Sequence, residues 1–244
     1  MYGILCATPE ELEALRAQLH LQAEPQTYGA TQVWLGRHGD RPVALALAGM
    51  GKVNAAAAAT VLLAVHGADA LIFAGVAGGL NPSLGVGSVL LGERLAIHDY
   101  GVVTERRLIP TRSGHMPISA PRLTEGHRVT EPVAAMLAAL REIVAGRLDA
   151  PVALGSIITG DYFLSCVETR ADLHAAFGAD AIDMESGAVG QVAEAWNTPL
   201  YVIRTLSDLA GEDSHLTYGE MARMAAHNSA LCVTALLALL ADSG

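Results

Sequence analysis

The sequence predicts an α/β fold in which a sheet is covered by helices on both faces. Short β-rich apolar runs alternate with Ala/Leu-rich helical stretches along the chain, the pattern of a sheet packed between helix layers. The 244 residues are 52% hydrophobic and only 16% charged, so the chain has the apolar content to build a core. No internal repeat, low-complexity tail or linker divides it, and one domain over 1–244 is expected.

Each element has its own local reason. "YGILCA" at the start is an apolar run of strand length, and "TPEELEALRAQL" follows as a helix with Thr8 as N-cap and Pro9 at the first helical position. "TQVWLGRHGDRPVALALAG" reads as a hairpin turning at Gly39 and Asp40, because alternating apolar residues flank a polar turn. "GKVNAAAAATVLLAVHG" is helical, "ALIFAGVAGG" a strand opening into a glycine loop, and "GSVLLGERLAIHDYG" a further strand. Residues 101 to 128 have three prolines and no sustained period, which predicts an irregular segment of the kind that is usually functional or mobile. Helix and strand then alternate through "EPVAAMLAALREIVAG", "VALGSIITGD", "TRADLHAAFG", "AIDM", "SGAVGQVAEAWN" and "PLYVIRTLSD". One long helix from Tyr218 to Ala241 closes the chain.

Composition removes several function classes. A net charge of −10 opposes binding to a phosphate backbone, so nucleic acid is not an expected partner. Cys6, Cys166 and Cys232 are odd in number and scattered, which suggests neither a disulfide framework nor a metal knuckle and suits a reducing cytoplasm. The N-terminus lacks the basic n-region of a secretory signal. The longest apolar runs, "AAAAATVLLAV" and "ALCVTALLALLA", are shorter than the roughly 18 to 20 residues that span a bilayer, so both read as buried helices and no membrane association is expected.

The chemistry-bearing residues gather at strand ends. "GMGKVNA" and "GVAGGL" sit beside strands, yet neither completes a P-loop or a dinucleotide fingerprint; Ala46 stands where a P-loop needs its first glycine. Glu11 lies three residues after Thr8, so it fits a capping box, while its place just beyond the first strand keeps a catalytic role open. Ser207 and Asp208 end an apolar strand and fit either a turn cap or a site. Arg204, inside "LYVIRTL", puts a guanidinium in an apolar strand and needs a carboxylate partner among Asp183, Glu185 and Glu11. Glu185 stands at the mouth of a helix, where the positive end favours an ionised acid, and Asp183 is read as a structural partner. His98 and His215 have no metal-ligand spacing, and no metal or cofactor is expected. Acids at strand ends without a nucleophile motif point to general acid/base chemistry on a neutral polar ligand.

Six stretches in order, "ILCATPEELEAL", "AGMGKVNAAAAAT", "GVAGGLNPSLGVGSVLL" with "HD" after it, "SIITGDYFL", "IDMESGAVGQVA" and "VIRTLSDLAGEDSHLTYGE", resemble the nucleoside phosphorylase and nucleosidase superfamily. Within it they resemble the 5'-methylthioadenosine/S-adenosylhomocysteine nucleosidases. The resemblance implies a three-layer αβα sandwich around a twisted mixed sheet, a homodimer, and hydrolysis of an N-glycosidic bond that releases adenine and a 5'-thioribose sugar. By motif position it implies that Glu11 activates water, Glu185 binds ribose hydroxyls and Asp208 protonates adenine at N7. It further implies that Phe163 stacks on the base, Leu164 holds its edge through the backbone, and Met184 packs under the ribose. Arg204 would order the acids, Ser207 would steady Asp208, and Met50 and Tyr218 would line the sugar and the 5'-substituent. Val76 stands where many nucleosidases carry serine, removing a hydroxyl from the ribose or water site. The alternatives left open are a futalosine-type substrate and phosphorolysis, though a carboxylate at Glu11 would repel phosphate.

Overall fold

The computed structural model describes residues 1–120, 122–123, 127–211 and 214–242, and for 214–217, 219 and 220 the backbone alone. The first half of the chain runs β1 (Tyr2–Cys6), α1 (Pro9–Gln18), β2 (His20–Leu21), β3 (Gln26–Tyr28), β4 (Thr31–His38), β5 (Arg41–Leu47), α2 (Lys52–Ala64), β6 (Ala70–Gly79) and β7 (Val89–Ile97). The second half runs β8 (Gly101–Thr104), β9 (Arg107–Pro110), β10 (His127–Arg128), α3 (Glu131–Val144), β11 (Val152–Thr159), α4 (Val167–Phe177), β12 (Ala181–Asp183), α5 (Ser186–Ala195), β13 (Leu200–Asp208) and α6 (Ser214–Asp242).

The main sheet is mixed, in the order β10-β7-β11-β12-β6-β1-β5-β4-β2, with β3 added on β4. β13 pairs with both β6 and β7, so β6 and β7 are joined twice, through β13 and through β11 and β12. The sheet therefore curls on itself at the centre. The period of two along each strand sorts side chains between two cores. In β1, Ile4 and Cys6 face one core while Leu5 faces the other; in β13, Tyr201 and Ile203 oppose Val202 and Leu206. The first core is closed by α1, α3 and α6, the second by α2 and α5, which makes the three layers.

The hairpin of β4 and β5 does turn at Gly39, whose φ of 57° lies in the left-handed region that glycine tolerates. "GVAGG" is not a loop, because β6 continues as strand through Gly79. The segment from 101 to 128 contains the β8–β9 hairpin, whose turn residues Glu105 and Arg106 have φ of 50° and 62°. That turn uses no glycine or asparagine, so it carries no turn signature in the sequence. α6 starts four residues earlier than expected. Its part from Met221 to Asp242 is long and apolar enough to cross a membrane, contrary to the run-length reading, yet half of it is buried inside the protein, where α6 packs on α1 and β13.

Candidate active site

Acidic side chains converge at the carboxyl ends of the central strands, where ligand sites of α/β sheets form. Glu11 follows β1, Asp183 ends β12, Glu185 precedes α5 and Asp208 ends β13. All four are buried.

Glu11 serves two structural purposes at once. Its backbone N–H donates to Thr8 Oγ1 at 3.3 Å and its carboxylate accepts from Thr8 N at 3.2 Å, completing the capping box. The same carboxylate accepts from Ala7 N at 2.7 Å and, through Oε1, from Val76 N at 3.0 Å. Burial raises its pKa above the ordinary carboxylate range, against the Arg204 charge and the three N–H donors, so Glu11 is an unusually basic carboxylate. Capping and site membership do not compete: the cap holds the acid in place.

Room for this arrangement comes from Gly75 on β6. A Cβ there would collide with the Glu11 carboxylate and with Arg204 Nη1. Arg204 lies opposite Gly75 in the β6–β13 register and is fully buried, its guanidinium carbon 4.0 Å from the centroid of Phe73.

Arg204 is neutralised chiefly by Asp183. Nε and Nη2 each lie 2.9 Å from Asp183 Oδ2, while Nη2 is 3.7 Å from Glu185 Oε2. Asp183 also accepts from Thr159 Oγ1 at 2.6 Å, from the backbone N–H groups of Glu185 and Ser186, and from the Ser186 hydroxyl. It thereby caps α5 and leaves the Glu185 side chain free of that duty. Glu185 Oε1 instead accepts from Gly51 N at 2.9 Å. Burial, and then the Asp183 charge, push Glu185 up to about 7 against the pull of Arg204 and Gly51 N–H. These effects oppose the positive end of α5, which favours the ionised form.

Asp208 Oδ2 accepts from Ser207 Oγ at 3.0 Å and Oδ1 from Ala210 N at 2.8 Å. The register shift between Leu206 and Asp208 turns this carboxylate beside Gly78. Ala210 is fully buried with φ of 51°, a conformation that costs a non-glycine residue on the order of 1 kcal/mol and that surrounding structure must enforce. Across the site, half-exposed Phe163 and half-buried Tyr218 meet edge to face, ring centroids 6.0 Å apart. Burial, then the charges of Glu11, Glu10, Glu185 and Asp208, raise the Tyr218 phenol, which places it among the acids.

The model of the phosphorylase superfamily matches residues 1–238. A 5'-methylthioadenosine/S-adenosylhomocysteine nucleosidase of Mycobacterium bovis is 38% identical over 248 residues, covering 98% of this chain and 97% of its own. The chain belongs to this nucleosidase family, within the phosphorylase superfamily. The crystal structure of a Neisseria meningitidis nucleosidase of that description, in complex with methylthio-immucillin-A, superimposes with a TM-score of 0.83 at 30% identity, covering 97% of each chain. A futalosine hydrolase of Helicobacter pylori superimposes with a TM-score of 0.85 at 24% identity, again over 97% of each chain, and shares the fold.

In this nucleosidase-family chain, Glu11, Glu185, Arg204, Ser207 and Asp208 are brought together, with Phe163 and Tyr218 at the mouth and Met184 half-buried beside Glu185. Leu164 is buried, and Met50 is exposed next to the Gly51 N–H that holds Glu185. Val76 takes part through its backbone N–H, whatever its side chain lacks. Thr159, Ser186 and Gly75 are contributors that sequence reasoning missed; only Ser186, directly following the Met-Glu pair at a helix start, carried a capping signal. Two cavities of about 480 Å³ each lie along the sides of α5, one lined by Arg112, His127 and Gln191 and the other by Lys52, Asp99 and Trp196. Neither is lined by Glu11 or Asp208.

Proposed function

We propose that this chain hydrolyses the N-glycosidic bond of 5'-methylthioadenosine, S-adenosylhomocysteine or both, releasing adenine and the 5'-thioribose sugar. The carrying observation is Glu11, a buried basic carboxylate gripped by three backbone N–H groups beside Arg204. A phosphorylase would need an anion-accepting surface there, and a cluster of carboxylates with one already neutralised guanidinium repels phosphate.

The residues divide the work as follows. Asp208, steadied by Ser207, gives its proton to adenine N7, which turns a poor leaving group into a neutral one. As the C–N bond breaks, positive charge grows on the ribose, and the carboxylates of Glu11 and Glu185 stabilise it. Water adds its oxygen to the anomeric carbon while its proton passes to Glu11, which burial makes more basic than an ordinary carboxylate. Glu185 binds the ribose hydroxyls and Arg204 orders the acids. Phe163 stacks on the base and the Leu164 backbone meets its edge. Met184 and Met50 pack against the sugar, and Tyr218 meets the 5'-substituent.

One catalytic domain is taken to span 1–244 in a cytoplasmic homodimer. Support for the dimer comes from exposed Met50, Val53, Met116, Ile118 and Trp196, apolar side chains just before and on α2, just after α5 and in the segment after β9. Support for a reducing compartment comes from all three cysteines being free. The test of substrate class is a panel of 5'-substituted adenosines compared by kcat/KM. Highest values for 5'-thio substituents are expected; equal or better turnover of a 5'-carboxyl-bearing inosine nucleoside would overturn the assignment.

A further inference from the structure

The "HD" pair after β7 and Lys52 of "GMGK" take no part in the chemistry above, yet the structure ties them together across the site. Lys52 Nζ reaches both oxygens of Asp99 at 2.5 Å and lies 3.5 Å from Asp161 Oδ2. Asp161 Oδ1 accepts from the Lys52 backbone N–H at 2.9 Å, and Asp161 N donates to Asp99 Oδ2 at 3.0 Å. Three residues, one at the start of α2 and one in each of the loops after β7 and β11, thus close a ring in which every member holds the other two. Side-chain exposures of 21% for Lys52 and 23% for Asp99 shield their pairing from solvent. A second tie lies one residue further on each side, where Tyr162 Oη and His98 Nε2 are 2.8 Å apart and their rings meet edge to face.

What these ties connect gives them their meaning. Lys52 directly follows Gly51, whose N–H holds the Glu185 carboxylate. Asp161 and Tyr162 directly precede Phe163 and Leu164. Short stretches of backbone therefore run from the ring to the N–H that holds the acid assigned to ribose and to the aromatic assigned to the base. We infer that Asp99, Lys52 and Asp161, with His98 and Tyr162 behind them, form a latch that sets the spacing between the ribose acid Glu185 and the base-stacking Phe163. These are positioning residues, and the inference rests on the roles assigned to Glu185 and Phe163.

The protonation states suit a permanent tie. Burial acts to raise Asp99, but the Lys52 ammonium, the Asp161 N–H and His98 outweigh it and hold the carboxyl below its usual range. Burial lowers His98, and burial together with the Asp99 charge pushes Tyr162 up to about 12, so a protonated phenol faces a neutral imidazole. A nucleoside bound between two prealigned walls loses less free energy to ordering them, so loosening the latch weakens binding more than it slows the bond-breaking step.

The experiment compares wild type with Asp99→Asn, Lys52→Met, their double variant and Lys52→Arg, reading KM and kcat on methylthioadenosine and amide hydrogen exchange. Asp99→Asn and Lys52→Met are each expected to raise KM about tenfold with kcat changed less than about threefold. The double variant should be no worse than either single one, because the ring acts as a unit. Lys52→Arg, which still bridges carboxylates, should stay within about threefold of wild type. Amides of 50–52 and 160–163 should exchange faster together in Asp99→Asn while those of β13 do not change. An unchanged KM, additive losses, or faster exchange confined to one loop or spread over the whole protein would overturn the latch. Absence of adenine release by wild type would instead refute the hydrolase assignment, and the exchange pattern would still decide the latch.

Discussion

Arg204 and Asp183 form a fully buried ion pair in which Nε and Nη2 both lie 2.9 Å from one carboxylate oxygen. Because Asp183 is occupied by Arg204, Thr159 and the start of α5, its neighbour Glu185 is left to face the site. The two acids around Met184 therefore have different employments two residues apart. Removing Asp183 strands a buried guanidinium, so Asp183→Ala should lose about 3 to 5 kcal/mol of stability in urea unfolding. A loss below about 1 kcal/mol would show that Glu185 takes over the pairing.

Asp208→Asn keeps the shape of the side chain but removes the proton. Turnover should fall by at least about 10² to 10⁴, while the variant stays folded and still binds nucleoside by calorimetry. Near-normal adenine release would refute the assignment of Asp208 as general acid.

Gly75 is the space that Glu11 and Arg204 share. Gly75→Ala overpacks it against backbone-tethered charged groups, for an expected cost of about 1 to 3 kcal/mol in stability and loss of most activity. An active, fully stable Gly75→Ala variant would mean that both side chains can move aside without consequence.

Glu185 links stability to pH. Its pKa is raised from 4.5 to about 7 on folding, so the folded protein binds the proton more tightly than the unfolded chain. The associated stability is fully present below about pH 4.5 and is lost as pH rises through 7, a decline on the order of 3 kcal/mol. Glu185→Gln keeps an acceptor for Gly51 N–H but cannot ionise. Its unfolding free energy should therefore fall less than wild type between pH 5 and about 8, and parallel curves would exclude Glu185 as the titrating group.

Much of this arrangement was legible in the sequence, and the reasons differ by residue. Alternating strands and helices carry their own periodicity, so the α/β architecture and both helix-covered faces could be read directly. Glu11 was visible as a capping-box acid at a strand end, and a lone Arg204 in an apolar strand announced a buried carboxylate partner. Which carboxylate it takes depends on the β12–α5 turn, where Asp183 rather than Glu185 caps the helix. The closing of β13 onto both β6 and β7 is a matter of long-range pairing that no local pattern encodes. The same holds for the Lys52–Asp99–Asp161 ring, whose members are 47 and 109 residues from Lys52 along the chain. The 101–128 segment misled because its hairpin turns on Glu105 and Arg106 instead of the residues that usually mark such turns.

The most direct measurement is adenine release from methylthioadenosine in buffer freed of phosphate, repeated with phosphate added. Hydrolysis by a water held at Glu11 should proceed at the same rate in both and yield the free sugar rather than its 1-phosphate. Strict dependence on phosphate, with sugar 1-phosphate as product, would contradict it.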